Sequence, residues 1–90
     1  MSASAQYPVG TAPTLLASAP ASGVVGPTGW MYLVNGSGGT IYLGAAGVTS
    51  TNGAPVAAST SFTGYLFPGD VVYAVTASGT STVSVLQTGV

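Results

Sequence analysis

The sequence predicts an all-β protein, a small antiparallel β-sandwich or barrel of about seven strands, and three observations lead there. Short runs rich in Val, Leu, Ile, Tyr and Phe recur along the chain, at a spacing of roughly 8–12 residues. Glycine, proline and asparagine clusters separate those runs, and these are the residues that turns demand. No window places apolar residues at i, i+3, i+4 and i+7 without an interrupting Gly, Pro or β-branched run, so no helix is expected. Ninety residues make one domain at most.

In order, residues 1–10 read as a flexible N-terminal arm. Ser, Ala and Gln offer little to bury, and Tyr7-Pro8 stops any helix. Residues 11–90 read as the single β domain. Thr11 to Ser18 is the first expected strand, with Pro13 confining its start to an edge. Residues 19–29 read as a long connection through Pro20 and Pro27, with Val24-Val25 able to pair briefly.

Trp30 to Gly44 is the expected centre. Trp30-Met31-Tyr32-Leu33-Val34 and Thr40-Ile41-Tyr42-Leu43-Gly44 flank Asn35-Gly36-Ser37-Gly38-Gly39. Asn-Gly between β-prone runs signals a hairpin, because its tight turns need φ > 0. Alternation puts Trp30, Tyr32 and Val34 on one face and Met31 and Leu33 on the other. A strand apolar on both faces is expected to be covered on both, so this stretch is either the centre of a sandwich or a place where another copy or a partner docks.

Ala45 to Val48 reads as a short extension, and Asn52-Gly53 before Ala54-Pro55 as a second turn. Val56 to Ser61 leads into a strand over Phe62–Phe67. Pro68-Gly69-Asp70 is a turn in which proline presets φ and glycine supplies φ > 0. Val71 to Ala77 and Ser81 to Thr88 complete the strands, the last alternating like a half-buried edge strand.

Composition narrows function. The chain holds no Lys, Arg, His or Cys, and its one acidic side chain is Asp70. Disulfides and thiolate or imidazole metal sites are excluded. Nucleic-acid binding lacks the cations that displace counterions from phosphate, and anionic lipid lacks its polybasic partner. No apolar run reaches the roughly 20 residues that span a bilayer, and Met1 to Gln6 does not resemble a signal peptide. No electrostatic repulsion keeps copies apart, so the chain is expected to live within an assembly.

Catalysis needs a group poised to move a proton, and Asp70 alone is offered. Serines without a base are not activated nucleophiles. The expectation is therefore a non-enzyme without cofactor or metal. Asp70 is expected to hydrogen-bond nearby backbone in its turn. The Gly36, Gly38 and Gly39 cluster lacks the following helix of a phosphate loop, and Asn35-Gly36-Ser37 matches a glycosylation sequon by chance. Tyr7, Trp30, Tyr32, Tyr42, Tyr65 and Phe67 are the candidate core or interface aromatics. With Tyr73, several of them are also candidates for a sugar-binding platform. Asn35, Gly36, Asn52, Gly53, Pro68, Gly69 and Asp70 are the candidate turn residues.

Five tokens carry a resemblance: Thr14-Leu15-Leu16-Ala17, Val34-Asn35 through Tyr42-Leu43-Gly44, Val48-Thr49 with Asn52-Gly53, Gly69-Asp70 with Val72-Tyr73-Ala74-Val75, and Val83-Ser84-Val85-Leu86-Gln87-Thr88-Gly89. In these the chain resembles small all-β virion proteins of tailed bacteriophages, of the capsid decoration (cement) or head-fibre type. The resemblance implies a structural protein on the capsid exterior, made in the bacterial host cytoplasm. It implies a homotrimer that binds the major capsid protein and bridges capsid subunits. The alternative it implies is a carbohydrate- or receptor-binding β module of a fibre or tail. An unpaired edge strand, such as the one ending at Leu86, is expected to add to a neighbouring sheet.

Overall fold

The computed structural model describes residues 2–19, 29–36 and 38–88, so the expected pairing at Val24-Val25 lies outside the described residues. Eight strands form: β1 (Ser2–Val9), β2 (Thr14–Ser18), β3 (Gly29–Asn35), β4 (Ile41–Gly44), β5 (Ala54–Val56), β6 (Ser61–Leu66), β7 (Val71–Thr76) and β8 (Ser81–Thr88). They build two four-stranded sheets, one in the order β1-β8-β3-β6 and the other β2-β7-β4-β5. Every pairing is antiparallel. Among the described residues the count is eight rather than about seven: Ala54-Pro55, expected in a turn, opens the short strand β5 that pairs with β4, and Ser2–Val9, expected as an arm, pairs residue for residue with β8 from Ser2↔Thr88 to Val9↔Ser81. Its alternation of Ala5, Tyr7 and Val9 against Ser4, Gln6 and Pro8 is a strand pattern that the Ser/Ala composition masks.

The expected central hairpin does not form. β3 pairs with β6 and β8, whereas β4 pairs with β5 and β7. The Asn-Gly stretch therefore carries the chain from one sheet to the other. A turn signal reports a change of direction, and it is silent on whether the next strand rejoins the same sheet. The expectation for β8 is corrected too: it lies between β1 and β3, not at an edge. Its alternation reflects one face toward the core and one away.

A single apolar cluster draws on both sheets. Met31, Leu33, Val83, Val85 and Leu66 come from the first sheet, and Leu16, Ala17, Ile41, Leu43, Val56 and Ala74 from the second. Burial of such side chains contributes roughly 1.5–3 kcal/mol each and is the main term holding so small a chain together. Tyr7 and Val72, both half-buried, pack against its rim. In β2 the register slips between Leu15 and Ala17, a bulge that lets Leu16 and Ala17 both be buried.

Side chains tie several of the turns. Thr49 donates its backbone N–H to Asn52 Oδ1 at 2.8 Å, and Gly53 N–H bonds Thr49 O at 2.9 Å. In the turn after β6, Asp70 Oδ2 accepts from Phe67 N–H at 2.8 Å, Asp70 N–H donates to Phe67 O, and Gly69 takes φ +84°. Thr76 Oγ1 closes the β7–β8 turn by donating to Gly79 O at 2.8 Å.

Candidate functional site

The two sheets treat their outward faces differently. On the second sheet, the segment between β4 and β5 folds back, and Val48 is buried. A Cβ at Gly44 would lie 2.7 Å from Val48 Cγ2, and one at Gly53 would lie 2.6 Å from Tyr42 Cβ. Two glycines thus admit the cover. No described segment lies over the first sheet in this way: Tyr32 is 39% exposed and Tyr65 73%.

That open face is laid out by register. Ser4, Leu86, Tyr32 and Thr63 form one row across β1, β8, β3 and β6. Gln6, Ser84, Val34 and Ser61 form the next row, and Trp30 pairs with Tyr65 in the row on the other side. Trp30, Val34 and Leu86 are half-buried. A groove of about 440 Å³ runs between Gln6 and Tyr32 over Ser84 and Leu86. Gln6 Nε2 donates to Ser84 Oγ at 3.2 Å, which orients the amide along the groove. None of these residues carries charge.

The candidate aromatics are not brought together. Trp30, Tyr32 and Tyr65 share the open face. Tyr42 and Tyr73 belong to the other sheet, Tyr7 packs on the core cluster, and Phe67 follows β6 as an exposed turn residue. A single aromatic platform of Trp30, Tyr32, Tyr42, Tyr65 and Tyr73 is therefore corrected to two groups on different sheets. The described residues cover one face of the Trp30–Val34 strand: the Met31 and Leu33 face is sealed, and the Trp30, Tyr32 and Val34 face is half open. Ser4 and Gln6 belong to the face but escape the sequence reading, because a first segment read as an arm has no face; Ser84 and Leu86 escape it because β8 reads as an edge strand rather than as the strand between β1 and β3. The alternation in Ser4–Val9 was the signal available.

Asn35, expected in a turn, is instead the buried polar centre of the molecule at 0% exposure. Its Nδ2 donates to Gly39 O at 2.8 Å and to Val56 O at 2.9 Å. Its Oδ1 accepts from Ser81 Oγ at 2.6 Å. Its backbone N–H donates to Thr60 O, and its carbonyl accepts from Ser59 N–H. Every group is satisfied, which is the condition for burying an amide at low cost. The side chain joins β3 and β8 to β5 of the other sheet, so it ties the sheets together. A sequon asparagine held like this is not accessible to a glycosyl donor. Gly36 follows because its N–H bonds Thr82 O, and a Cβ there would lie 2.5 Å from that oxygen.

Among the described residues no three His, Cys, Asp or Glu side chains gather to hold a metal ion, and none forms a helix. No family model, no curated protein and no solved structure matches this chain. The descriptive terms drawn from the resemblance above (virion, capsid, bacteriophage, decoration or cement protein, viral protein) are corrected accordingly, since no matching family, protein or structure carries them. What stands is a small all-β domain of two four-stranded antiparallel sheets with one uncharged open face.

Proposed function

We propose that this chain is a non-enzymatic structural module that binds the outer surface of a larger protein assembly and bridges its neighbouring subunits. The observation that carries this reading is the open face of the first sheet, where Trp30, Tyr32, Val34, Leu86 and Tyr65 lie without a charged neighbour. Such a face gains by burying area against another neutral surface, and it needs shape rather than a reactive group. The two sheets are proposed to stack face to face as an open sandwich. The shared core cluster and a shortest dimension of 15 Å support that arrangement.

The test is copy number. High-mass assemblies purified from cells that make the chain are quantified by mass spectrometry, using chymotrypsin because trypsin has no Lys or Arg to cleave. Copies in a fixed ratio to a repeating subunit are expected, and complete absence from such assemblies overturns the role. Tyr32→Ser should remove the chain from the assembly while leaving it folded.

A second reading is favoured by the groove: recognition of a neutral glycan, with the Tyr32 ring as a stacking surface and the Gln6 amide and Ser4 and Ser84 hydroxyls as partners. A glycan array probed with the purified chain decides it. Binding lost in both Tyr32→Ser and Gln6→Ala supports this reading, and a blank array removes it.

A further inference from the structure

We infer that copies of this chain join head to tail by strand addition, the outer edge of β1 in one copy pairing antiparallel with the outer edge of β6 in the next. This concerns the edges of the first sheet and stands independently of what covers its face. Among the described residues the four edge strands are β1 and β6 in one sheet and β2 and β5 in the other. Natural proteins blunt such edges with short strands, prolines, bulges or charge. β5 has three residues including Pro55, and β2 carries its bulge between Leu15 and Ala17. β1 and β6 carry none of these devices where it matters. β1 pairs without a slip over eight residues, and its one proline, Pro8, leaves Ser2–Tyr7 as a run of six. β6 also pairs without a slip over six residues. Neither holds a charged residue, and no described strand pairs with the outer side of either.

Direction and side chains select the head-to-tail pairing. Strand direction alternates across β1, β8, β3 and β6, so β6 runs opposite to β1. A second copy in the same orientation therefore continues the sheet as another antiparallel pair. The β1 edge presents small or slender side chains at Ser4, Ala5 and Gln6, whereas β6 presents exposed Phe62 and Tyr65. Small side chains opposite aromatic ones leave room for close packing, which two β6 edges would not. A head-to-tail interface closes as a ring or grows as a filament.

The chain's one charged side chain, Asp70, lies outside β1 and β6, so a charge introduced on either edge meets no charged neighbour within its own strand. Ser4 and Thr63 are exposed and lie in the same row of the sheet, at its two edges. Sedimentation equilibrium is run on the unaltered chain, on Ser4→Lys with Thr63→Lys, and on Ser4→Lys with Thr63→Glu. The unaltered chain is expected to associate with rising concentration. The Lys/Lys variant should associate about tenfold more weakly and the Lys/Glu variant should recover, with the gap closing at about 1 M salt. Far-UV circular dichroism and urea midpoints confirm that each variant is folded. Hydrogen exchange on the unaltered chain should show protection rising with concentration in both β1 and β6. A monomer at every concentration overturns the inference, as does a Lys/Lys variant that associates like the unaltered chain. Equal loss in the Lys/Lys and Lys/Glu variants also overturns it, because that pattern belongs to β1 pairing with β1.

Discussion

Ser81 donates its hydroxyl to Oδ1 of Asn35 across 2.6 Å, with both side chains sealed from solvent. The bond spans β8 and β3, and the other end of the same amide reaches Val56 O in the second sheet. Asn35→Ala strands the Ser81 hydroxyl and leaves the Gly39 and Val56 carbonyls without this donor. A loss of about 3 kcal/mol in urea unfolding is expected, at roughly 1–3 kcal/mol per orphaned group with partial relaxation. Ser81→Ala should cost less, about 1–2 kcal/mol, since it orphans one acceptor. The double variant should cost less than the sum of the two. A loss under about 0.5 kcal/mol in Asn35→Ala would show that the amide does not tie the sheets.

The glycines beside that asparagine are expected to resist substitution for a different reason. Gly36→Ala forces a Cβ to within 2.5 Å of Thr82 O, and Gly38→Ala pushes one against Thr80 O. Each should destabilise by about 1–3 kcal/mol, the usual range for overpacking. Gly47→Ala is the control, because a Cβ there meets nothing within 4 Å. Its effect should be neutral to mildly stabilising, up to about 1 kcal/mol. Equal losses at Gly36 and Gly47 in thermal melts would contradict the crowding argument.

Asp70 is expected to act through acceptor geometry rather than charge. Asp70→Asn keeps an oxygen for Phe67 N–H and should change the urea midpoint little, while Asp70→Ala should lose about 1 kcal/mol. Gly69→Ala, placed at φ +84°, should cost about 1 kcal/mol. If Asp70→Asn proves as harmful as Asp70→Ala, the carboxylate's charge is the operative feature.

Trp30 and Leu33 sit three residues apart on opposite faces of β3, and substitution should separate them. Leu33→Ala empties a core position and should cost roughly 2–5 kcal/mol. Trp30→Ala removes a half-buried ring from the open face and should cost about 1–2 kcal/mol, with a larger effect on docking than on folding. Comparable unfolding losses would place Trp30 in the core.

Docking through the open face should vary little with ionic strength, because the chain has no Lys or Arg to form an ion pair across the interface. Binding to the purified assembly is measured between 50 mM and 1 M salt (about a fourfold change in Debye length). A steep decline with salt would mean that the face is not what binds.

How much of this was legible in the residues varies by element. β7 and β8 were readable because Val71–Thr76 and Ser81–Thr88 are β-branched runs closed by turn residues at both ends. β1 was hidden, since Ser and Ala are poor strand formers and only pairing with β8 makes the segment a strand. The passage from β3 to β4 reads as a hairpin because local turn chemistry does not encode which sheet receives the next strand. Even so, Asn35 continues the buried row of Met31 and Leu33. An amide in a core-facing register position is the mark of a buried polar tie rather than of a turn. The Asp70 turn was readable in full, as its proline, glycine and carboxylate each act on their own neighbours.

The pairing of β1 with β8 bears on the timing of biosynthesis. Ser2 opposes Thr88, and β8 is also the strand that joins β1 to β3. During synthesis, at roughly 5–20 residues per second, β1 and the open-faced β3 wait without their shared neighbour until Ser81–Thr88 has left the ribosome. For those seconds the uncharged, aromatic-bearing β3 lacks its native partner on the β8 side. Crowded polysomes, where nascent copies stand side by side, are therefore the place where wrong pairings between chains have their best opportunity, and slowing translation upstream of Ser81 should lengthen that exposure.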